Sequence, residues 1–467
     1  MTRATTKNRF KPISPLTALL LALGAMAGYW FAFATTKGAA GILIALPCVF
    51  LLARLRSPRL AFYGGMGAGM AMYVPHLLFF RSVFGAAAFP LWLIAGLPIG
   101  IFLLIVHLTY RRLGMGWALF LTPVVWTGIE YFRSEVWYLR FAWLLPGQAS
   151  AFLPGVRMMA IGVYGLGFVY AVAATFVISR GVMSRAIGVI ATIILAALMY
   201  FPQRPASPTD APLHVAGMQL EFPDAYTLPS AIERLALAHP DAQILVLSEY
   251  TFQGEPPPAV REMVRKHHRY LIVGGTRILH DGSFYNTAFV IGPDGHEVFS
   301  QDKSVPVQFV TDGIPASARH VWSSPWGKIG IAVCYDLSYA RPMDDFVRQG
   351  AQGLIVPTMD LTVWGEYERR MLHGRMAPIR SAEYGIPTFG VWSSGVSQLT
   401  DRFGTVIATA GYPGQGEMIS GPFDLQHTGR LPPDRLFAMC ALVATAAVTA
   451  FLFVCSVRDR SKSKRRI

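Results

Sequence analysis

The chain has 467 residues, 53% of them hydrophobic and only 15% charged, with a mean hydropathy of +0.40; that balance excludes an ordinary soluble protein. The net charge of +14 is unevenly placed. Residues 211–427 hold 16 Lys/Arg against 22 Asp/Glu, which leaves 25 basic and 5 acidic residues to the rest. Basic charge gathered around apolar segments is a topology signal and not a phosphate-binding groove, so nucleic acid is excluded as a partner.

In chain order, apolar runs come first. A hydrocarbon core of roughly 30 Å needs about 20 apolar residues in a helix. Runs of that kind are expected over Pro15–Ala34, Gly38–Leu52, Leu60–Phe80, Phe89–Tyr110, Met115–Phe132, Val156–Ser179 and Ala186–Phe201, with an eighth over Leu436–Val457. The second and seventh are short. Basic residues sit between alternate runs: Arg3, Lys7, Arg9 and Lys11; Arg54, Arg56 and Arg59; Arg111 and Arg112; Arg180 and Arg185; and a tail from Arg458 to Arg466. The positive-inside rule makes all of these cytoplasmic. The expected organisation is a multi-span α-helical membrane domain of about seven helices (1–205), an extracytoplasmic α/β domain (211–427), a C-terminal transmembrane helix (434–457) and a basic cytoplasmic tail (458–467). Glu130 falls near the end of a run and no internal repeat is visible, which argues against a transporter.

The second region reads differently. Leu213–Met218, Ile244–Leu247, Tyr270–Gly274, Asn286–Ile291, Lys328–Val333, Gly353–Val356 and Thr388–Val391 are β-branched or apolar runs bounded by turn residues. Between them, Pro229–Ala238, Pro258–His268, Pro342–Gln349 and Glu366–Tyr384 carry helical patterns with polar faces. Interleaving of this kind predicts a layered α/β domain.

Three of these strand ends carry reactive groups. Ile244-Leu-Val-Leu-Ser-Glu249 sets a carboxylate just past an apolar strand, Val298-Phe-Ser-Gln-Asp-Lys303 an ammonium, and Gly330-Ile-Ala-Val-Cys334 a thiol. Cys48, Cys440 and Cys455 fall in expected spans, so Cys334 is alone in its domain and has no internal disulfide partner. It is either a small buried hydrophobe or a nucleophile. As a nucleophile it needs a base or a nearby cation, since a thiol with a pKa near 8.5 attacks poorly. Glu249 can supply the first, and Lys303 the second together with oxyanion stabilisation.

Taken as a set, Leu247-Ser-Glu249-Tyr250, Gly274-Gly-Thr276, Tyr285-Asn-Thr-Ala288, Asp302-Lys303-Ser-Val-Pro306 and Val333-Cys-Tyr-Asp336 resemble the nitrilase superfamily of carbon–nitrogen hydrolases. That resemblance implies an α-β-β-α sandwich in which Glu249 is general base and acid, Lys303 stabilises the oxyanion and Cys334 forms a thioester, with Tyr335 and Asp336 as supporting residues. Upstream, Trp126-Thr-Gly-Ile-Glu130-Tyr-Phe-Arg133, Phe141-Ala-Trp143-Leu-Leu-Pro-Gly147-Gln148 and Ile161-Gly-Val-Tyr-Gly165 are similar to the membrane segments of apolipoprotein N-acyltransferases. His373, Arg380-Ser-Ala-Glu383 and Ser394-Gly-Val-Ser397 continue the likeness. The resemblance implies a phospholipid acyl donor, a diacylglyceryl apolipoprotein acceptor, a monomer in the bacterial inner membrane, and no metal or cofactor. The runner-up reading is a membrane-tethered amidase, or an acyltransferase with another amine acceptor. Four departures stand out. Ser-Val-Pro follows Lys303 directly, Ser248 precedes Glu249 where proline is usual, Asp336 replaces glutamate, and Val307-Gln308-Phe309 replaces Phe-Gly-Glu. The last is expected to remove a supporting carboxylate.

Overall fold

The computed structural model describes residues 11–201, 213–364, 367–411 and 414–464. Arg3, Lys7, Arg9, Glu366, Arg465 and Arg466, all used above, lie outside them. The chain forms two compact units. One gathers the apolar helices, and the other holds residues 151–160 and 202–432.

The helical unit contains α1 (Pro15–Ala34), α2 (Gly41–Leu52), α3 (Pro58–Tyr73), α4 (Phe80–Phe84), α5 (Ala88–Arg112), α6 (Met115–Tyr131), α7 (Val163–Val177), α8 (Val182–Tyr200) and the C-terminal helix Asp434–Lys464. Among the described residues, four helical stretches are long and apolar enough to cross a membrane: Pro15–Ala34, Phe80–Arg112, Val182–Tyr200 and Asp434–Asp459. Several expected runs are shorter or broken. The run over Leu60–Phe80 ends as α3 at Tyr73 and passes through a 3-10 turn at Val74–His76, where Pro75 has no N–H to give. The run over Val156–Ser179 breaks at Gly162, whose φ of +89° no helix tolerates. The freed amides of Tyr164 and Gly165 at the start of α7 donate to Asp434 Oδ2 at 2.9 and 3.1 Å.

Small residues set the helix packing, because lipid gives no hydrophobic drive between helices. Gly65 and Gly69 of α3 face Gly96 and Gly100 of α5 so closely that a Cβ on Gly96 would stand 2.6 Å from the Met66 carbonyl oxygen. The non-helical stretch between α6 and α7 is buried, and its carbonyls are satisfied from inside, as membrane depth demands. Arg133 donates to the carbonyls of Phe141, Trp143 and Leu144 at 3.0–3.1 Å, and the Tyr29 hydroxyl donates to Leu144 at 2.7 Å.

The second unit is built on two six-stranded mixed sheets. The first runs β12-β1-β2-β3-β4-β5, with β1 (His214–Met218), β2 (Ile244–Val246), β3 (Tyr270–Ile278), β4 (Phe284–Ile291), β5 (Glu297–Asp302) and β12 (Met418–Pro422). The second runs β11-β10-β9-β8-β7-β6, with β6 (Val321–Ser324), β7 (Gly327–Ile331), β8 (Gly353–Thr358), β9 (Thr388–Trp392), β10 (Gln398–Thr400) and β11 (Val406–Thr409). Strand alternation explains the layering. Val215, Val246, Ile272 and Val290 meet Ile329, Ile331, Ile355 and Val391 between the sheets. Ala216, Leu245, Leu271 and Phe289 point the other way, onto α9 (Leu228–Ala238) and α10 (Pro258–His267). On the far face of the second sheet lie α11 (Ala340–Arg348) and the pair α12 (Tyr367–Gly374) and α13 (Met376–Tyr384). The architecture is the expected α-β-β-α sandwich. With both faces of the central strands covered, their sequences read as continuous apolar runs.

The helix expected over Glu366–Tyr384 is two helices. Pro378 has no N–H for the carbonyl of Gly374, and the glycine itself is a poor helix former, so the chain turns at Arg375. Residues 151–160 dock on this unit, with the Arg157 guanidinium 4.5 Å from the Phe403 ring centroid.

Candidate active site

Glu249 lies three residues past β2, and its place depends on a glycine. A Cβ on Gly274 of β3 would stand 2.5 Å from the Glu249 Cα and 2.8 Å from the Tyr250 nitrogen, so only glycine lets the two backbones touch. One oxygen, Oε1, accepts from Lys303 Nζ at 2.8 Å and from Asn286 Nδ2 at 2.6 Å. The other, Oε2, accepts from the Met359 amide at 2.8 Å, just beyond β8. The carboxylate is 2% exposed.

Lys303 follows β5 directly, its amide bonded to the Asn286 carbonyl at 2.8 Å. Its buried ammonium touches two carboxylates, Glu249 and Asp312, each at 2.8 Å. Burial alone would pull this lysine down, but Asp312, the Cys334 sulfur and Glu249 hold it well above the usual lysine value.

Cys334 begins a 3-10 turn after β7, at a φ of +50° that L-residues rarely adopt. The strained turn lifts the side chain off the sheet, with Sγ 3.9 Å from the Met359 carbonyl oxygen. Burial pushes the thiol well above its ordinary pKa. Glu249 adds to the rise, Lys303 opposes it, and Asp360 and Asp312 add more. The resting sulfur is therefore S–H, and a base must remove its proton.

The structure thus brings Glu249, Lys303 and Cys334 into one buried cluster, and it corrects one expectation. The supporting carboxylate is not missing. Asp312 fills the role from further along the loop, accepting from Lys303 Nζ, from the Val307 amide at 2.7 Å, from the Tyr250 hydroxyl at 2.9 Å and from Asn286 Nδ2 at 2.9 Å. Burial raises this carboxyl, but Lys303 beside it brings it below the usual aspartate value. An acidic residue nine positions after the lysine was the available signal. A fixed-register reading at Val307-Gln308-Phe309 passed over it. Asn286, quoted above only within a motif, is the clamp that joins the two carboxylates.

Asp336 is fully buried and ties two turns together. It accepts from the Ser304 amide at 3.0 Å, the Val305 amide at 2.7 Å and the Val333 amide at 3.3 Å, so the segment after Lys303 and the turn holding Cys334 share one anchor. Burial pushes this carboxyl up to about 6 against the lowering pull of the Ser304 amide and Lys303. Tyr335 is half-buried and packs its ring edge-on against Tyr339 at 5.0 Å, beside the inter-sheet core. Arg380 of α13 donates to the carbonyls of Leu337 at 2.8 Å and Ser338 at 2.6 Å, bracing the same turn. No group of three or more His, Cys, Asp or Glu side chains that could hold a metal ion occurs among the described residues.

Two family models match the chain: carbon-nitrogen hydrolase over residues 235–432, and the apolipoprotein N-acyltransferase N-terminal domain over residues 14–176. The chain is 24% identical to an apolipoprotein N-acyltransferase of Geobacter metallireducens over 428 residues, covering 78% of this chain and 81% of that one. It is 28% identical over 196 residues to omega-amidase NIT2-B of Xenopus laevis, covering 38% of this chain and 70% of the relative. Among solved structures, Saccharomyces cerevisiae Nit3, a member of the nitrilase superfamily, aligns with 45% of this chain and 90% of its own at a TM-score of 0.40 and 20% identity. With the helical half and the sandwich half each matched in the order found here, the chain belongs to the apolipoprotein N-acyltransferase family within the nitrilase superfamily.

Proposed function

We propose that this enzyme moves an acyl chain from a membrane phospholipid, through a thioester on Cys334, to the α-amine of a diacylglyceryl-cysteine apolipoprotein. The observation that carries the chemistry is the Glu249 carboxylate, held by Lys303 on one oxygen and by the peptide beside the thiol on the other. Donor and acceptor follow from the family. The omega-amidase likeness covers only 38% of the chain and leaves residues 14–176 unaccounted for.

In the first step Glu249 takes the thiol proton as Cys334 Sγ attacks the ester carbonyl. An ammonium has three N–H groups. Glu249 and Asp312 take two from Lys303, and the third meets the developing oxyanion. As the tetrahedral adduct collapses, Glu249 returns the proton to the leaving alkoxide, releasing a lysophospholipid and leaving the thioester. The neutral α-amine then attacks the thioester carbonyl and gives up a proton to Glu249. The amide forms, the thiolate leaves, and Glu249 reprotonates it. Protons and electrons balance over the cycle, and water is not a reactant. The charge split favours an extracytoplasmic residue 211–427 domain with both termini inside, which suits substrates of the outer leaflet.

The test is a phospholipid labelled on its acyl chain, incubated with the full-length enzyme in detergent. A hydroxylamine-labile protein adduct is expected, absent in Cys334→Ala and discharged by a diacylglyceryl-cysteine peptide. An undiminished adduct in Cys334→Ala overturns the mechanism. Failure to acylate the peptide while small amides are hydrolysed overturns the acceptor.

A further inference from the structure

The Met359 peptide is the single backbone unit that meets both the candidate base and the candidate nucleophile. Its N–H donates to Glu249 Oε2 at 2.8 Å, and its carbonyl oxygen is 3.9 Å from Cys334 Sγ. Yet it lies beyond the sheet. The β8–β9 ladder ends with Thr358 opposite Trp392, and its last bond runs from the Ser393 amide to the Thr358 carbonyl at 3.0 Å. Something other than strand pairing must hold Met359 in place.

The next residue, Asp360, is 1% exposed and is gripped on all sides. Its amide donates to Ser393 Oγ at 3.0 Å, and its carbonyl accepts from Ser393 Oγ at 2.9 Å and also from Ser394 Oγ. Its carboxylate meets His373 Nδ1 of α12 at 3.2 Å, and because a carboxylate only accepts, the imidazole donates there. The His373 ring is itself fixed edge-on against Trp392, with centroids 5.6 Å apart. Arg370, fully buried on the same helix, donates to the carbonyls of Ser394 and, at 3.2 Å, Leu361, so it closes the loop on both flanks of Asp360. None of these side chains bonds to Glu249, Lys303 or Cys334. They act on the one peptide that does.

We infer that Asp360, Ser393, Ser394 and His373 form a positioning bracket that fixes the Met359 peptide between Glu249 and Cys334, and so sets the base–nucleophile geometry for thioester formation. The inference rests on the Glu249–Cys334 reading above. It concerns how fast the thiol is acylated, not how tightly lipid binds. A bracket of this kind is worth building because a misplacement of about 1 Å at a reacting group costs on the order of a hundredfold in rate. Each buried hydrogen bond also narrows the range over which the peptide can move.

Two substitutions test it in the full-length detergent-solubilised enzyme. Ser393→Ala removes the hydroxyl that both receives from and donates to the Asp360 backbone, leaving Ser394 in place. Asp360→Asn keeps the shape and the backbone bonds but weakens the tie to His373. The readout is single-turnover formation of the hydroxylamine-labile adduct across a range of labelled phospholipid concentrations, alongside the thermal midpoint. Both variants are expected to form adduct about ten- to a hundredfold more slowly at saturating lipid, with half-saturation within about twofold of the parent and the labelled lysophospholipid product unchanged. A purely structural role would instead lower the thermal midpoint and the active fraction while leaving the rate per active molecule intact, and that result overturns the bracket. So does a parental rate in both variants, or a loss confined to half-saturation. Cys334→Ala separates the two ideas. If it still forms adduct, the nucleophile assignment fails and the bracket falls with it. If it forms none while Ser393→Ala and Asp360→Asn match the parent, the bracket alone is wrong.

Discussion

Replacing Asp312 by asparagine removes one negative charge from a site that holds Lys303 between two carboxylates. The carboxylate accepts on both oxygens: Lys303 and the Val307 amide on Oδ2, the Tyr250 hydroxyl and Asn286 Nδ2 on Oδ1. An amide offers one acceptor oxygen, so its NH2 must face one of these donor pairs, and two bonds turn into donor–donor contacts. Breaking a buried ion pair from one side costs about 3–5 kcal/mol, and the loss falls on stability first. Asp312 sits below its unfolded pKa, so its contribution is present above about pH 4 and fades as pH falls through the folded value. The gap in thermal midpoint between parent and Asp312→Asn is therefore widest at neutral pH and narrows in acid. Lys303, freed from one partner, is also less well aimed at the oxyanion, and removing one such donor costs about 10²–10³ in rate. Single-turnover adduct formation at pH 7.5 measures this directly, with Tyr250→Phe as the control that loses one hydroxyl bond worth about 1 kcal/mol. A folded Asp312→Asn enzyme that forms the thioester at the parental rate would refute a supporting role for Asp312.

Three further outcomes follow from the same geometry. Asp336, pushed up to about 6, gains its proton as pH falls through that value, which weakens its hold on the Ser304 and Val305 amides. Adduct formation should drop below pH 6 in the parent, while Asp336→Asn should show a lower plateau without that acid limb. Stability moves the other way: a carboxyl with a folded pKa above its unfolded one loses stability as pH rises between about 4 and 6, visible as a falling thermal midpoint relative to Asp336→Asn. In a background carrying Cys48→Ala, Cys440→Ala and Cys455→Ala, iodoacetamide at pH 8 should alkylate Cys334 at under about a tenth of the rate of free cysteine, because burial and Glu249 keep the thiol protonated. Gly274→Ala should cost about 1–3 kcal/mol or more and abolish adduct formation, since its Cβ would strike the Glu249 backbone and not a movable side chain; an active, stable variant would show that this close approach is dispensable.

The parts of this protein that could be read from sequence are those where a local pattern carries the physics. Central strands β1, β2, β3, β7, β8 and β9 are runs of apolar residues buried on both faces, and no other element type explains Ile244-Leu-Val-Leu or Gly330-Ile-Ala-Val. The edge strands gave no such sign. β11 leaves alternate residues exposed, and β10 is three residues long, so each exists only because a neighbour supplies the ladder. Helix breaks were harder still. Hydropathy over 156–179 cannot see that Gly162 takes a positive φ, nor that Asp434, 270 residues after Tyr164, caps the helix that restarts there.

At the site the same division holds, and it explains how the motif tolerates its departures. Glu249, Lys303 and Cys334 were legible because each ends or follows a strand. What surrounds them is assembled from loops that meet only in space: Asp312 comes nine residues after Lys303, Asn286 from the adjacent strand, and Met359 from the other sheet. The abrupt Ser-Val-Pro after Lys303 is where such an assembly should be most fragile. Yet Ser304 and Val305 bring their amides straight onto the Asp336 carboxylate, whose third donor is Val333, the residue before the thiol. A short spacer and a carboxylate one methylene shorter than glutamate thus appear together in this chain, and both act across the same gap. If the two changes compensate, lengthening only one should fail. Asp336→Glu in the present spacer would push the Ser304 amide away and slow acylation, even though it restores the residue that the resemblance expects.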